Sequence, residues 1–287
     1  MATIRNPVEW TRAQVVNIGH AMASTGRSLS HIGETAHSPP PELRRIAARE
    51  LRDVLAHGLG DFGACRSDVI FICAIYPAVG LILTRLALGG EMLPLLFPLA
   101  SGFALIGPFA AVGLYEMSRR REQGLPVSWR NALDVTRAPA AGAILVLGLV
   151  LAALLILWLA AAWGIYRVTL GPAELTSIPG FLHDVFLTGA GQVMIAAGIA
   201  VGAPFAIVAA SISIVAFPLL LERDCGLDTA IRTSIRAVAA NPGPMILWGL
   251  IVAAGLVIGS IPMFVGLIVV LPVLGHATWH LYRKLVR

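Results

Sequence analysis

Long stretches without a charged residue alternate with short basic ones along this chain. Windows free of Asp, Glu, Lys and Arg run from Met92 to Tyr115, Ala138 to Tyr166, Val185 to Leu221 and Ala237 to Tyr282. A fifth, Val69 to Gly90, is broken only by Arg85. Each is long enough for a helix to cross a hydrocarbon layer, which takes about 20 residues. Ser260, Ile261 and Pro262 split the last window in two. The pattern predicts six membrane helices, at about 69–88, 92–117, 139–166, 193–217, 244–260 and 263–282. Val185 to Gln192 reads as an approach along the outer surface, Gly171 to Asp184 as an outer loop, and Pro204 as a kink.

Composition agrees with the pattern. Apolar residues make up 57% of the 287 and charged residues 13%, against about 25% charged in an ordinary soluble domain. The net charge of +5 would raise nucleic acid as a partner in a soluble protein. Here nineteen of the 21 basic residues fall on one side of the six-span arrangement. By the positive-inside rule that side is cytoplasmic, and both termini with it. Arg85 and Arg167 lie at the opposite helix ends, where long side chains snorkel to headgroups. The arginines therefore report topology, and no nucleic-acid motif accompanies them. The first 60 residues hold no apolar run of signal-peptide length.

Three segments follow: 1–38 as a cytoplasmic N-terminal segment, 39–66 as an amphipathic interfacial helix, and 67–287 as the six-helix membrane domain. Ser38 to Pro41 separates the first two. In the second, Leu43, Ile46, Val54, Leu55 and Leu59 recur at helical spacing among Arg44, Arg45, Arg49 and Arg52. That combination is expected of a helix at an anionic lipid surface.

The chain repeats itself. Arg121 to Leu145 and Arg223 to Leu247 superpose without a gap, with Gly124 over Gly226 and Glu122 over Asp224. Leu51 to Phe71 occupies the corresponding place before the first hairpin. The fold class expected is an all-α polytopic membrane protein of three parallel units, each an interfacial segment followed by a helical hairpin.

Candidate chemistry is sparse. No P-loop, dinucleotide fingerprint or zincin motif occurs, so no enzyme activity and no cofactor are expected. His276 and His280 stand at i, i+4 on the last helix, a spacing that can hold one metal or a haem, but without a third ligand. The alternative is that both bond to neighbouring helices, with Trp279, Tyr282, Arg283 and Lys284 as an interface anchor. Glu116 and Arg120 are placed to pair at i, i+4, and the cluster Arg119, Arg120 and Arg121 is the candidate for anionic lipid. Two GxxxG pairs, Gly198/Gly202 and Gly255/Gly259, thin their helices for close packing. The first is expected inside the chain. The second, among Leu256, Val257 and Ile258, is expected to face a partner or a second copy.

The stretches IRNPVEW, DVIFICAIYPAVGLIL, GPFAAVGLYEMSRRREQG, TSIRAVAANPGPMILWG and LPVLGHATWHLYRK resemble an uncharacterised bacterial family of integral membrane proteins, a domain of unknown function. Some of its members carry the label of putative cytochrome c oxidase subunit. The resemblance implies a bacterial inner-membrane location and subunits of a respiratory membrane complex as partners beside membrane lipids. It supplies no functional residues. Together these readings give a non-enzymatic membrane protein that acts by association, as an accessory or assembly factor of a respiratory oxidase. The alternative is a small-solute or ion transporter.

Overall fold

A computed structural model describes residues 41–65, 96–171, 178–223, 225–261 and 265–287. The N-terminal segment 1–38 and the span expected at 69–88 lie outside the described residues. So do the residues around the Pro262 turn. Among the described residues the chain is helical, with a single isolated antiparallel bridge, Leu43 to Val286, and no named strand.

The helices are α1 (Glu50–Ala64), α2 (Leu96–Ala110), α3 (Val112–Glu122), α4 (Ala141–Thr169) and α5 (Ile178–Leu187). They continue as α6 (Gly189–Ser213), α7 (Ala216–Glu222), α8 (Leu227–Ala240), α9 (Pro242–Ser260) and α10 (Leu267–Leu285). A 3-10 helix, Trp129–Arg137, lies between α3 and α4. Among the described residues, three stretches are long and apolar enough to cross a membrane: Ala141–Thr169, Gly189–Glu222 and Pro242–Ser260.

The second expected span is two helices, α2 and α3, meeting at Ala111. Pro108, three residues earlier, cannot donate to the carbonyl one turn back. The fourth is likewise divided. At the break between α6 and α7 the Val215 amide donates to the Ser234 hydroxyl of α8, 3.2 Å away and buried. The outer segment read as a loop up to Asp184 contains α5. The Thr188 side chain caps α6 by accepting the Gly191 amide at 3.1 Å. Gly191 is required there, because the Asp184 and Val185 carbonyls occupy the space of a Cβ.

The aligned repeats differ in conformation. Gly124 turns with φ of 68°, whereas Gly226 is extended at −67°. The segment after Gly124 is a nine-residue 3-10 helix, and that after Gly226 a 14-residue α-helix. Pro126 and Pro139 account for this, bracketing the first segment where the second has no proline before Pro242.

Packing is richest at the basic end. Leu147 and Leu151 on α4, Phe217 and Leu219 on α7, and Trp279 and Leu281 on α10 are at most 1% exposed. Elsewhere α4, α6 and α9 turn large apolar residues outward, among them Ile156, Ile199 and Ile246.

Helix α1 packs along α10, antiparallel to it. Arg44 N donates to Leu285 O at 2.9 Å, and Lys284 Nζ lies 3.3 Å from Asp53. Further along, Gly58 meets Ala277, where an added Cβ would stand 2.7 Å from the Ala277 nitrogen. The apolar face of the amphipathic segment, Leu51, Val54 and Phe62, is thereby buried. Asn241, 2% exposed, ties the stretch before α1 to α9: its Oδ1 accepts Ile46 N at 2.8 Å and its Nδ2 donates to Arg44 O at 3.2 Å.

Candidate functional site at the α1, α3 and α10 junction

Packing α1 against α10, with α3 alongside, brings together side chains from three distant parts of the chain. Asp61 of α1 lies at the centre, its side chain 9% exposed. Its Oδ2 accepts the Ser118 hydroxyl at 2.6 Å and His280 Nε2 at 2.8 Å. Its Oδ1 accepts Arg121 Nη1. Ser118 has one proton to donate, and it goes to Asp61. His276 Nδ1, 2.7 Å from the Ser118 oxygen, is then the donor in that second bond. A neutral His276 therefore leaves Nε2 as an acceptor, fully buried and without a hydrogen bond to any described residue.

The order of these groups decides what they can do. Base activation of a serine needs an imidazole that accepts the hydroxyl proton and a carboxylate on the imidazole's other nitrogen. Here the serine stands between imidazole and carboxylate and gives its proton to the carboxylate. The arrangement holds a buried charge and locks three helices. Burial by itself would push the Asp61 carboxyl up; the hydrogen bonds from His280 and Ser118 outweigh it and hold the carboxyl below its ordinary range. A depressed carboxylate contributes its stability fully above its unfolded pKa, about 3.9, and loses it as pH falls through the lower folded value. We expect melting temperatures in detergent to fall steeply below about pH 4, and an Asp61→Ala variant to show a flatter acid limb.

Beside this network lies an open cleft of about 470 Å³ whose polar lining is His57, Asp61, Ser118, Arg121, Glu122 and His280. The His57 and His280 ring centroids are 5.2 Å apart. His57 Nδ1 is 2.7 Å from the Asp53 carbonyl.

More carboxylates hold the last turns of α10. Glu122, ending α3, accepts Trp279 Nε1 and Arg283 Nε, each at 3.0 Å. Glu222, ending α7, accepts the Tyr282 hydroxyl and, at 2.7 Å, Arg283 Nη1. Trp279 and Tyr282, read from sequence as an interface anchor, are both 1% exposed. They face inward because each has a carboxylate for its polar tip, a combination that suits burial.

The sequence-derived candidates fall as follows. His276 and His280 share a face as expected, but one bonds Ser118 and the other Asp61. Among the described residues no group of three His, Cys, Asp or Glu is arranged for a metal ion. Arg119 and Arg120 both donate to Glu116, at 2.7 and 2.9 Å, and Arg120 also reaches Asp134 at 3.1 Å. Arg121 turns in to Asp61. The three guanidinium groups proposed for lipid thus already face carboxylates. Gly255 faces Val270 and Leu274, and Gly259 faces Leu267, all on α10 of the same chain. Gly202 packs under Trp158, while none of the described residues lies within 4 Å of a Cβ at Gly198. Sequence reasoning missed Asp61, Ser118 and Glu122. A polar stripe on α10, His276, His280 and Arg283, was the available signal, since a membrane-proximal stripe of that kind needs partners on facing helices.

Residues 96–222 match a family model described as "Predicted integral membrane protein (DUF2189)". The chain is an integral membrane protein. The match takes in α2 through α7, hence Ser118, Arg121, Glu122 and Glu222, and stops short of Asp61, His276 and His280. It agrees with the resemblance drawn from the sequence, an uncharacterised membrane protein family. No curated protein and no solved structure matches this chain.

Proposed function

We propose that this membrane protein works by association with other membrane components rather than by chemistry of its own. In this reading six helices cross the bacterial inner membrane as three segment-plus-hairpin units, both termini are cytoplasmic, and the basic end of the bundle faces the cytoplasm. The observation that carries it is the treatment of hydroxyls on the long helices. Thr169, Ser213, Ser260 and Thr278 each donate to a carbonyl one turn back on their own helix, at 2.5 to 2.7 Å. The protons of these four hydroxyls are thus engaged within their own helices, whereas a transporter turns polar groups toward a hydrated path. The apolar outward faces of α4, α6 and α9 supply contact area for lipid or for another membrane protein. A respiratory oxidase complex is the first partner to test, on the strength of the family resemblance.

Extraction in a mild detergent followed by identification of co-purifying proteins tests this. Recovery of stoichiometric oxidase subunits is the expected result. A protein that purifies alone and carries solute flux in vesicles would move the reading to transport. The topology has its own check. A cysteine introduced at His183, whose side chain is 64% exposed, should react with an impermeant reagent added outside intact inner-membrane spheroplasts. A cysteine at Arg130 should not, and labelling there from outside would remove the six-span arrangement.

A further inference from the structure

We infer that the outward face of α1 and the turn before it form a binding surface for anionic phospholipid headgroups, through Arg45, Arg49 and Arg52. Two sets stand out among the arginines of the basic end, apart from Arg130, Arg137, Arg223, Arg236 and Arg287. Arg44, Arg119, Arg120, Arg121, Arg232 and Arg283 each face a carboxylate within 3.2 Å. Arg45, Arg49 and Arg52 are exposed, and no described residue pairs with them. Arg52 lies on α1 and Arg49 is its N-cap, and at that spacing both project from the side of the helix away from Leu51, Val54 and Gly58, which are buried. Arg45 stands on the non-helical stretch before α1, between the Arg44 N bond to Leu285 O and the Ile46 N bond to Asn241. Packing on α10 therefore fixes which way the three charges point.

Their height follows from α9. That helix has 19 residues, about 28 Å at 1.5 Å each, against about 30 Å of hydrocarbon. It has no length to spare, so its cap, Asn241, belongs at headgroup level. Asn241 is bonded to Ile46 and to the Arg44 carbonyl. Lys284 beside Asp53 gives the same level from α10. On the same side of α1, further from that end, Leu59 is 57% exposed. Guanidinium groups at headgroup level above an apolar side chain match a phosphodiester above an acyl chain.

This inference rests on the reading that the basic end faces the cytoplasmic leaflet, and its test is independent of any protein partner. Full-length protein in nanodiscs of equimolar phosphatidylglycerol and phosphatidylcholine is extracted, and retained lipid is counted by native mass spectrometry. We expect the wild type to retain phosphatidylglycerol preferentially. The variant R45Q/R49Q/R52Q should lose at least about fivefold of that preference, the contribution of one well-placed arginine. R45K/R49K/R52K should keep most of it, and R232Q, which removes an arginine already paired with Asp228, should keep all of it. No preference in the wild type overturns the inference, as does a preference unchanged in the triple glutamine variant or equally lost in R232Q. Loss of a co-purifying protein with lipid preference unchanged would assign the surface to an acidic protein partner and equally overturn it. The arginines are exposed, and a monodisperse size-exclusion peak for each variant establishes that folding is intact.

Discussion

Asp61→Ala should destabilise the detergent-solubilised protein by about 1 to 3 kcal/mol, the usual cost of leaving buried donors without an acceptor; the loss is no larger because Arg121, its side chain 42% exposed, can turn to solvent. The reason lies in what remains. Arg121, His280 and the Ser118 hydroxyl all direct protons at one carboxylate that is nearly out of solvent. Alanine leaves three donors without an acceptor, one of them permanently charged. Asp61→Asn should cost less than alanine but remain destabilising, because its amide keeps one acceptor and sets two more protons against existing donors. The decisive comparison is a double variant, Asp61→Leu with Arg121→Met. Removing both charges for apolar groups should recover much of the single-variant loss, since buried pairs are costly to break and cheap to replace. Thermal unfolding followed by tryptophan fluorescence reads all of these. An Asp61→Ala melting temperature within a degree of wild type would mean that the junction is hydrated.

The second large effect is expected at Gly58. A methyl there would stand 2.7 Å from the nitrogen and 2.8 Å from the α carbon of Ala277, so backbone must separate from backbone. Gly58→Leu should cost about 3 kcal/mol, at the upper end of ordinary overpacking. It should also draw Asp61 away from His280, so its effect and that of Asp61→Ala should add to less than their sum. Gly60, two residues along the same helix, has none of the described residues within 4 Å of a Cβ. Gly60→Ala should be neutral or stabilising by up to about 1 kcal/mol, through helix propensity alone. Opposite signs at two glycines of one helix would establish the α1 to α10 contact. Equal effects would show that α1 is not seated on α10.

The long apolar helices were the legible part. Ala138 to Tyr166 anticipates α4, and Pro244 to Ser260 anticipates α9, because exclusion from water is written in residues that cannot be mistaken for polar ones. Which side of each helix faces inward was not legible. On α4, Leu147 and Leu151 are buried while Leu149 and Ile156 are exposed, and a helix meeting lipid on one side and protein on the other has no polar face to mark the difference. The destination of the amphipathic segment was hidden for a related reason. Leu51, Val54 and Leu55 spell an apolar stripe, and a stripe is satisfied equally by a lipid surface or by α10. The Asp61 network was hidden by distance, since its members belong to three helices and no local spacing joins them.

That distance has a consequence in time. His280 follows Asp61 by 219 residues, and at about 5 to 20 residues per second a ribosome needs roughly 10 to 45 s to make the intervening chain. Until α10 emerges, α1 has only α3 among its described partners, through Phe62 against Leu114 and Met117 and through Asp61, and neither Glu122 nor Glu222 has met Arg283. The first of the described helices therefore waits for the last, and the contact between them closes only when both have been made. A chain stalled before its last twenty residues would leave Glu122 without Trp279 and Arg283, leave Glu222 without Tyr282 and Arg283, and uncover the part of α1 that lies on α10.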